Sequence, residues 1–298
     1  MNESENLFVS SRGILKSCDW HSKTPISSAP RLFNYPSPMV LKQTTVPTIY
    51  VCSRAIIDFI HTVLPTIDFP FILVGGDCDE SVPNDIFFSE EAFQEFINNP
   101  FLVHWFSQNL IITHRKMTHM PIGLDYHTMT TNPIWGGISS CKDQETLLTN
   151  VCKSAKPFWE RKLQCYSNFH FLMTTTHGYD RRDAVRDLNK DLVFYEPNKI
   201  TRKETWNAQK EYAFIISPHG GGYDCHRLWE ALVIGCIPIV KKSKIDILYA
   251  DLPVLIVDDW ADVTEELLKK TVAFFQTRTF RYEKLTLKHW IDKINSYK

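Results

Sequence analysis

Between Ser217 and Glu230 the chain reads SPHGGGYDCHRLWE, with Ser217 and His219 ahead of three consecutive glycines and Asp224, His226, Arg227 and Glu230 behind them. Residues of these types in this order can hold an anion. Glycine lets a backbone come close to a ligand and frees its N–H groups to point inward. The start of a helix adds partial positive charge, worth up to ~2 kcal/mol for an anion in a partly buried site. An arginine in the first turn can fork onto phosphate oxygens, and a glutamate one turn deeper can accept from the vicinal hydroxyls of a ribose. His226 and Glu230 are four apart and Arg227 and Glu230 three apart, which puts them on one side of a helix. Asp224 is expected to cap that helix by accepting from the amides of His226 and Arg227. The expected occupant is a nucleoside diphosphate, cradled by Ser217, His219, Gly220, Gly221, Gly222 and the helix start. The alternative is a structural turn whose Arg and Glu pair with one another.

A second stretch, LMTTTHGYDRRDAVRDL, ends a strand in hydroxyl residues and glycine and opens a helix with Arg181 and Arg182. On the same rim, one of these arginines would balance diphosphate charge; otherwise they are solvated partners of Asp180 and Asp183. A base that removes a proton from an acceptor hydroxyl would come from the other half of the chain. Asp77 and Asp79 in GGDCDE are the first candidates and Asp125, beside His127 in GLDYHT, the runner-up. The same Asp-x-Asp spacing also suits a divalent Mn or Mg ion, a less favoured reading because such pairs are frequent by chance. The histidines at 104, 114, 119 and 127 lack zinc-site spacing. Trp105, Trp135 and Trp229 are candidates for stacking on a sugar face or for the core.

The elements that position these residues alternate. EYAFIIS reads as a buried strand and LWEALVIG as a helix stopped by Gly235, so the glycines occupy a strand-to-helix turn. In open α/β sheets, ligands bind at the carboxyl ends of the strands. Upstream, TIYVCS reads as a strand, RAIIDFIHTVLPTI as a helix, FPFILVGG as a strand, Ser89 to Asn98 as a helix and NLIITH as another strand. FHFLM, IPIV and VLIV continue the strand series, TEELLKKTVAFFQTRTF is a long helix, and RYEKLTLKHWIDKINSYK is an amphipathic one. This alternation predicts parallel sheets of βαβ units. A break near residues 154 to 162 divides them into two Rossmann-like halves, 1–155 and 156–298, with the last helix free to pack back on the first half.

A balance of 44% hydrophobic and 22% charged residues describes a globular protein. A net charge of -1 gives no field that would draw nucleic acid. The eight cysteines contain no CxxC pair, which fits reduced thiols in a cytoplasm. No apolar run is long enough for a membrane span. The missing GxGxxG weighs against a nicotinamide-dependent oxidoreductase, and no Walker A sequence occurs.

The segment SPHGGGYDCHRLWEALVIGCIPIVKKSKIDILYADLPVLIVDDW resembles the C-terminal signature of exostosin-type glycosyltransferases. RGILKSCD, ILVGGDCDESVP and MPIGLDYHTM are similar to blocks of the short soluble members found in large DNA viruses, a chlorovirus xylosyltransferase among them. The resemblance runs from about Arg12 to Trp260 and is most specific after Ser217. It implies a GT-B fold, two Rossmann-like domains with parallel sheets facing across a cleft. It also implies an inverting transfer of xylose or another sugar from a UDP-sugar to a hydroxyl of a glycan or glycoprotein, with no required cofactor. Under it the glycine loop, His226 and Arg227 hold diphosphate and Glu230 holds ribose. Members of the family commonly carry a membrane anchor, and this chain shows none, which leaves lumenal polysaccharide synthesis in doubt. The rival expectation is a protein of the same fold that binds nucleotide or glycan without catalysis.

Overall fold

The computed structural model describes residues 3–169 and 174–298. After an N-terminal helix α1 (Ser11–Ser17) the chain builds strand β1 (Thr48–Cys52), helix α2 (Ile56–Thr62), β2 (Phe71–Gly76), α3 (Glu90–Ile97), β3 (Leu102–Ser107) and β4 (Met117–His119). The short α4 (Thr128–Thr131) and the longer α5 (Cys141–Ser154) follow. A second series comprises β5 (Lys162–Ser167), α6 (Gly178–Asp187), β6 (Val193–Tyr195), α7 (Arg202–Gln209), β7 (Tyr212–Ile216), α8 (His226–Ile234), β8 (Ile237–Lys241) and β9 (Leu255–Val257). Helices α9 (Glu265–Gln276) and α10 (Leu287–Asn295) close the chain.

Every strand pairing is parallel, in the order β1-β2-β3-β4 in one sheet and β6-β5-β7-β8-β9 in the other. The architecture is therefore of GT-B type: two Rossmann-like, parallel-sheet domains with a cleft between them. Strands β1, β2 and β7 are buried along their whole length, as parallel strands covered by helices on both faces must be. In the second sheet the chain runs outward from β5 to β6 and then returns past β5 to β7. The topological switch point, where the loops leaving two neighbouring strands diverge and open a crevice, lies between β5 and β7.

Two expected strands differ. The strand expected at NLIITH lies earlier, at Leu102–Ser107, and Asn109 turns the chain away with a φ of +47°. In the second domain the first strand is Lys162–Ser167, and residues 170–173 of the expected FHFLM strand lie outside the described residues. α10 packs against α1, and Tyr297 stacks on His104 of β3 with ring centroids 4.0 Å apart. α5 packs on α7 and α8 of the second domain. One continuous apolar cluster joins Tyr50 and Ile72 of the first sheet to Ile122, Leu228 and Trp229, so the two domains share core at the back of the cleft.

Candidate functional site

A cleft of about 640 Å³, in the usual range for a small-molecule site, opens at the switch point between the two domains. Asp79, Ile122, Asp125 and Trp135 line it from the first domain, and Arg181, Gly221, Gly222, His226, Arg227 and Glu230 from the second.

The cationic wall is built by two helices. Arg227, in the first turn of α8, donates to the Ser217 hydroxyl and the Pro218 carbonyl, both at 3.3 Å. Its guanidinium lies 5.7 Å from the Phe169 ring. Burial, with the like charge of Arg181 contributing, pulls its pKa below the ordinary arginine value. Arg181, in the first turn of α6, presses on Gly220: a Cβ there would sit 2.5 Å from a guanidinium nitrogen. Two guanidinium groups thus converge beside the start of α8, whose N-cap, Cys225, supplies no side-chain hydrogen bond. Orphan amides of a first turn and two cations at one spot make a site for a polyanion.

Several expected residues do other work. Asp224 does not cap α8. It is buried, and accepts from the Ile122 amide at 2.8 Å, Trp229 Nε1 at 2.8 Å and the Tyr249 hydroxyl at 3.3 Å. It ties the first domain to the helix, and burial pushes its carboxyl up to about 6 against the pull of those donors. His219 is buried, with its ring nitrogens on the carbonyls of Tyr223 and Lys241, so it shapes the loop and faces no ligand. Ser217 is likewise buried and positions Arg227. Arg182 is exposed and lies outside the cleft lining.

The glycines answer to the opposite domain as well as to a ligand. A Cβ on Gly221 would lie 1.9 Å from Asp79 Oδ2, and one on Gly222 would lie 2.6 Å from Asn109 Nδ2. These contacts are closer than any side chain tolerates. The loops after β2 and β3 reach across onto the glycine loop, and Asn109 Oδ1 accepts from the Asp224 amide at 3.0 Å.

The base candidates separate. Asp77 is buried with Arg12 at 3.0 Å and the Ser27 hydroxyl at 2.8 Å, with a φ of +59°, and has no access to the cleft. It is a structural ion pair and not a base. Its carboxylate is committed to Arg12, so of the Asp77–Asp79 pair only Asp79 lines the cleft. Among the described residues no group of three or more His, Cys, Asp or Glu is arranged to hold a metal ion. Asp79 is open to the cleft; desolvation against the glycine loop and the charge of Glu80 raise its carboxyl, with His226 and Arg181 opposing. Burial would raise Asp125 too, but the imidazoles of His226 and His127 and the Thr128 amide hold it down at about 2. At neutral pH it is a fixed negative charge and a weak base. His226 lines the cleft together with Arg227 and Glu230, as its spacing predicts. Its Nδ1 reaches the Gly123 carbonyl of the first domain at 2.7 Å.

Glu230 lines the cleft 3.7 Å from Arg202, a residue the sequence did not bring forward. Arg202, buried in α7, donates to the Asp125 carbonyl at 2.5 Å and Gln144 Oε1 at 2.6 Å and stacks on Trp135, 4.7 Å from the ring centroid. Thr205 and Gln209, on the same face of α7, and the loop Glu196 to Ile200 after β6 complete the wall. The signal for α7 was in the sequence: Thr201 and Glu204 form a capping box that marks its start. Of the tryptophans, Trp105 and Trp229 are core, and Trp135 alone of the three lines the cleft.

No protein-family model and no curated protein matches the chain. Among solved structures it is similar to an α1,3-fucosyltransferase, with a TM-score of 0.41 and 13% identity over 91% of this chain and 93% of that one. It is also similar to the catalytic domain of starch synthase IV from Arabidopsis thaliana bound to ADP and acarbose, with a TM-score of 0.39 and 10% identity over 87% of this chain and 74% of that one. At that level of similarity neither fixes a function. No helix among the described residues is long and apolar enough to cross a membrane.

Proposed function

We propose that the protein is an inverting glycosyltransferase that takes its sugar from a nucleoside diphosphate sugar, a UDP-sugar by the exostosin-type resemblance, and delivers it to a glycan hydroxyl. The observation that carries this reading is the convergence of Arg181 and Arg227 on the start of α8, in the interdomain cleft at the switch point. In that place the β-phosphate gains two forked cations and unused backbone donors, and these stabilise the charge that develops as the diphosphate leaves. The leaving group is then served by protein groups alone. Glu230 lies one turn further along α8, within the same cleft, where it can accept from ribose hydroxyls. Trp135, on the first-domain side, offers a ring against a sugar.

Titration calorimetry with UDP, GDP, ADP and inorganic pyrophosphate on the full chain tests the reading. Binding of a nucleoside diphosphate, weakened by about 10- to 100-fold in Arg227→Ala, is the expected result. A folded sample that binds none of the four refutes it. Binding without sugar release from any UDP-sugar in a panel would instead identify a non-catalytic binding protein.

A further inference from the structure

We propose that His226 is the proton acceptor of the transfer reaction, which rests on the reading above and assigns the base to the second domain instead of to Asp77, Asp79 or Asp125. The ring is preoriented. Nδ1 lies 2.7 Å from the Gly123 carbonyl, and a carbonyl only accepts, so Nδ1 carries hydrogen and the neutral ring keeps its lone pair at Nε2. Among the described residues Nε2 has no hydrogen-bond partner, and His226 lines the cleft. The side chain leaves the first residue of α8, where a diphosphate would sit, and crosses toward the first domain, where an acceptor would enter.

The three carboxylates do not compete equally. Asp77 is spent on Arg12. Asp125 accepts from the Thr128 amide at 3.0 Å and lies 3.2 Å from His127 Nδ1, so its carboxylate is already engaged within the first domain. Asp79 is open, yet no hydrogen bond among the described residues orients it, and its carboxylate rests on Gly221. The groups whose charge acts on the imidazole are Asp77 and Asp79 from the loop after β2, Asp125 and His127 from the segment after β4, and Asp224 from its own loop. Apart from His127, which burial keeps neutral, they are carboxylates that stabilise the imidazolium as it forms.

In the step, the acceptor oxygen forms a bond to the anomeric carbon while the bond from that carbon to the β-phosphate oxygen breaks. The electron pair leaves with the nucleoside diphosphate, and the hydroxyl proton passes to Nε2 and then to solvent. His226→Asn tests this, because the Asn amide keeps a donor for Gly123 and has nothing at the Nε2 position. With the UDP-sugar that the wild type turns over fastest, kcat is expected to fall by about 10²- to 10⁴-fold. UDP affinity should stay within about threefold, and the decline of kcat on the acid side of the pH profile should vanish. A merely structural tie would lower stability and affinity and leave the shape of the profile intact. His226→Asn turnover within about threefold of wild type overturns the assignment, as does loss of the acid limb in Asp79→Asn alone. If the wild type binds UDP but His226→Asn still turns over, only the base assignment falls; if the wild type binds no nucleoside diphosphate, the proposed function falls with it.

Discussion

Gly222→Ala tests whether the glycine loop is shaped by the opposite domain. The new Cβ would lie 2.6 Å from Asn109 Nδ2, 3.1 Å from its Cγ and 2.9 Å from the Asp79 carbonyl oxygen. Asn109 cannot swing aside freely. Its Nδ2 donates to the carbonyl of Cys78 at 3.2 Å, its Oδ1 accepts from the Asp224 amide at 3.0 Å, and its backbone is in the left-handed region. Moving it breaks two buried hydrogen bonds, each worth about 1 kcal/mol net and about 1–3 kcal/mol where a buried group is left unpaired. The expected destabilisation is therefore about 2–4 kcal/mol, read by urea unfolding. A double-mutant cycle isolates the cause. In an Asn109→Ala background the two closest side-chain contacts are gone, while the Asp79 backbone oxygen at 2.9 Å still has to give way. There Gly222→Ala should still destabilise, but by less than in the wild-type background, the difference exceeding the roughly 0.5 kcal/mol within which independent sites add. Strict additivity, or a neutral Gly222→Ala, would refute the interdomain clasp.

Other expectations follow from the same contacts. Arg181→Ala and Arg227→Ala should each weaken UDP binding by about 10- to 100-fold in calorimetry, the loss of a charge-assisted hydrogen bond of about 1.5–3 kcal/mol. The exposed Arg182→Ala should change it by less than about twofold; equal effects at 181 and 182 would remove the site. Asp77→Asn leaves the Arg12 guanidinium buried without its partner and should cost about 3–5 kcal/mol in urea unfolding; a cost under about 1 kcal/mol would contradict a buried ion pair. Asp224 has a folded value of about 6, above its usual 3.8, so the native state binds its proton more tightly than the unfolded chain does. Its contribution therefore falls as pH rises from about 4 to about 6, by up to about 3 kcal/mol. Wild type minus Asp224→Asn, compared by unfolding at pH 4.5 and pH 7, should show that slope, and parallel pH dependences would disprove it.

What could be read from the sequence was local. The apolar run before Ser217, the helix after it and its stop at Gly235, which adopts a φ of +81°, follow from neighbours in the chain. The register of β3 was misplaced because LVHWFS carries a histidine and a tryptophan in a strand that is almost entirely buried, and so lacks clean alternation, whereas NLIITH looks more apolar than its turning backbone allows. Asp224 stands one residue before the true N-cap, and nothing nearby announces that the Ile122 amide, 102 residues away, will claim its carboxylate. The spacing of His226 and Glu230 does put both on α8, but a first-turn side chain also meets whatever lies beyond the helix end, here the Gly123 carbonyl. The triglycine shows the limit most clearly. Its composition says that something must approach the backbone closely. Whether that is a phosphate, a guanidinium or the other domain depends on the opposing surface, and here Arg181 approaches Gly220, Asp79 approaches Gly221 and Asn109 approaches Gly222. The proposed anion site therefore rests on the arginines and the start of α8, while the glycines admit the loops of the opposite domain.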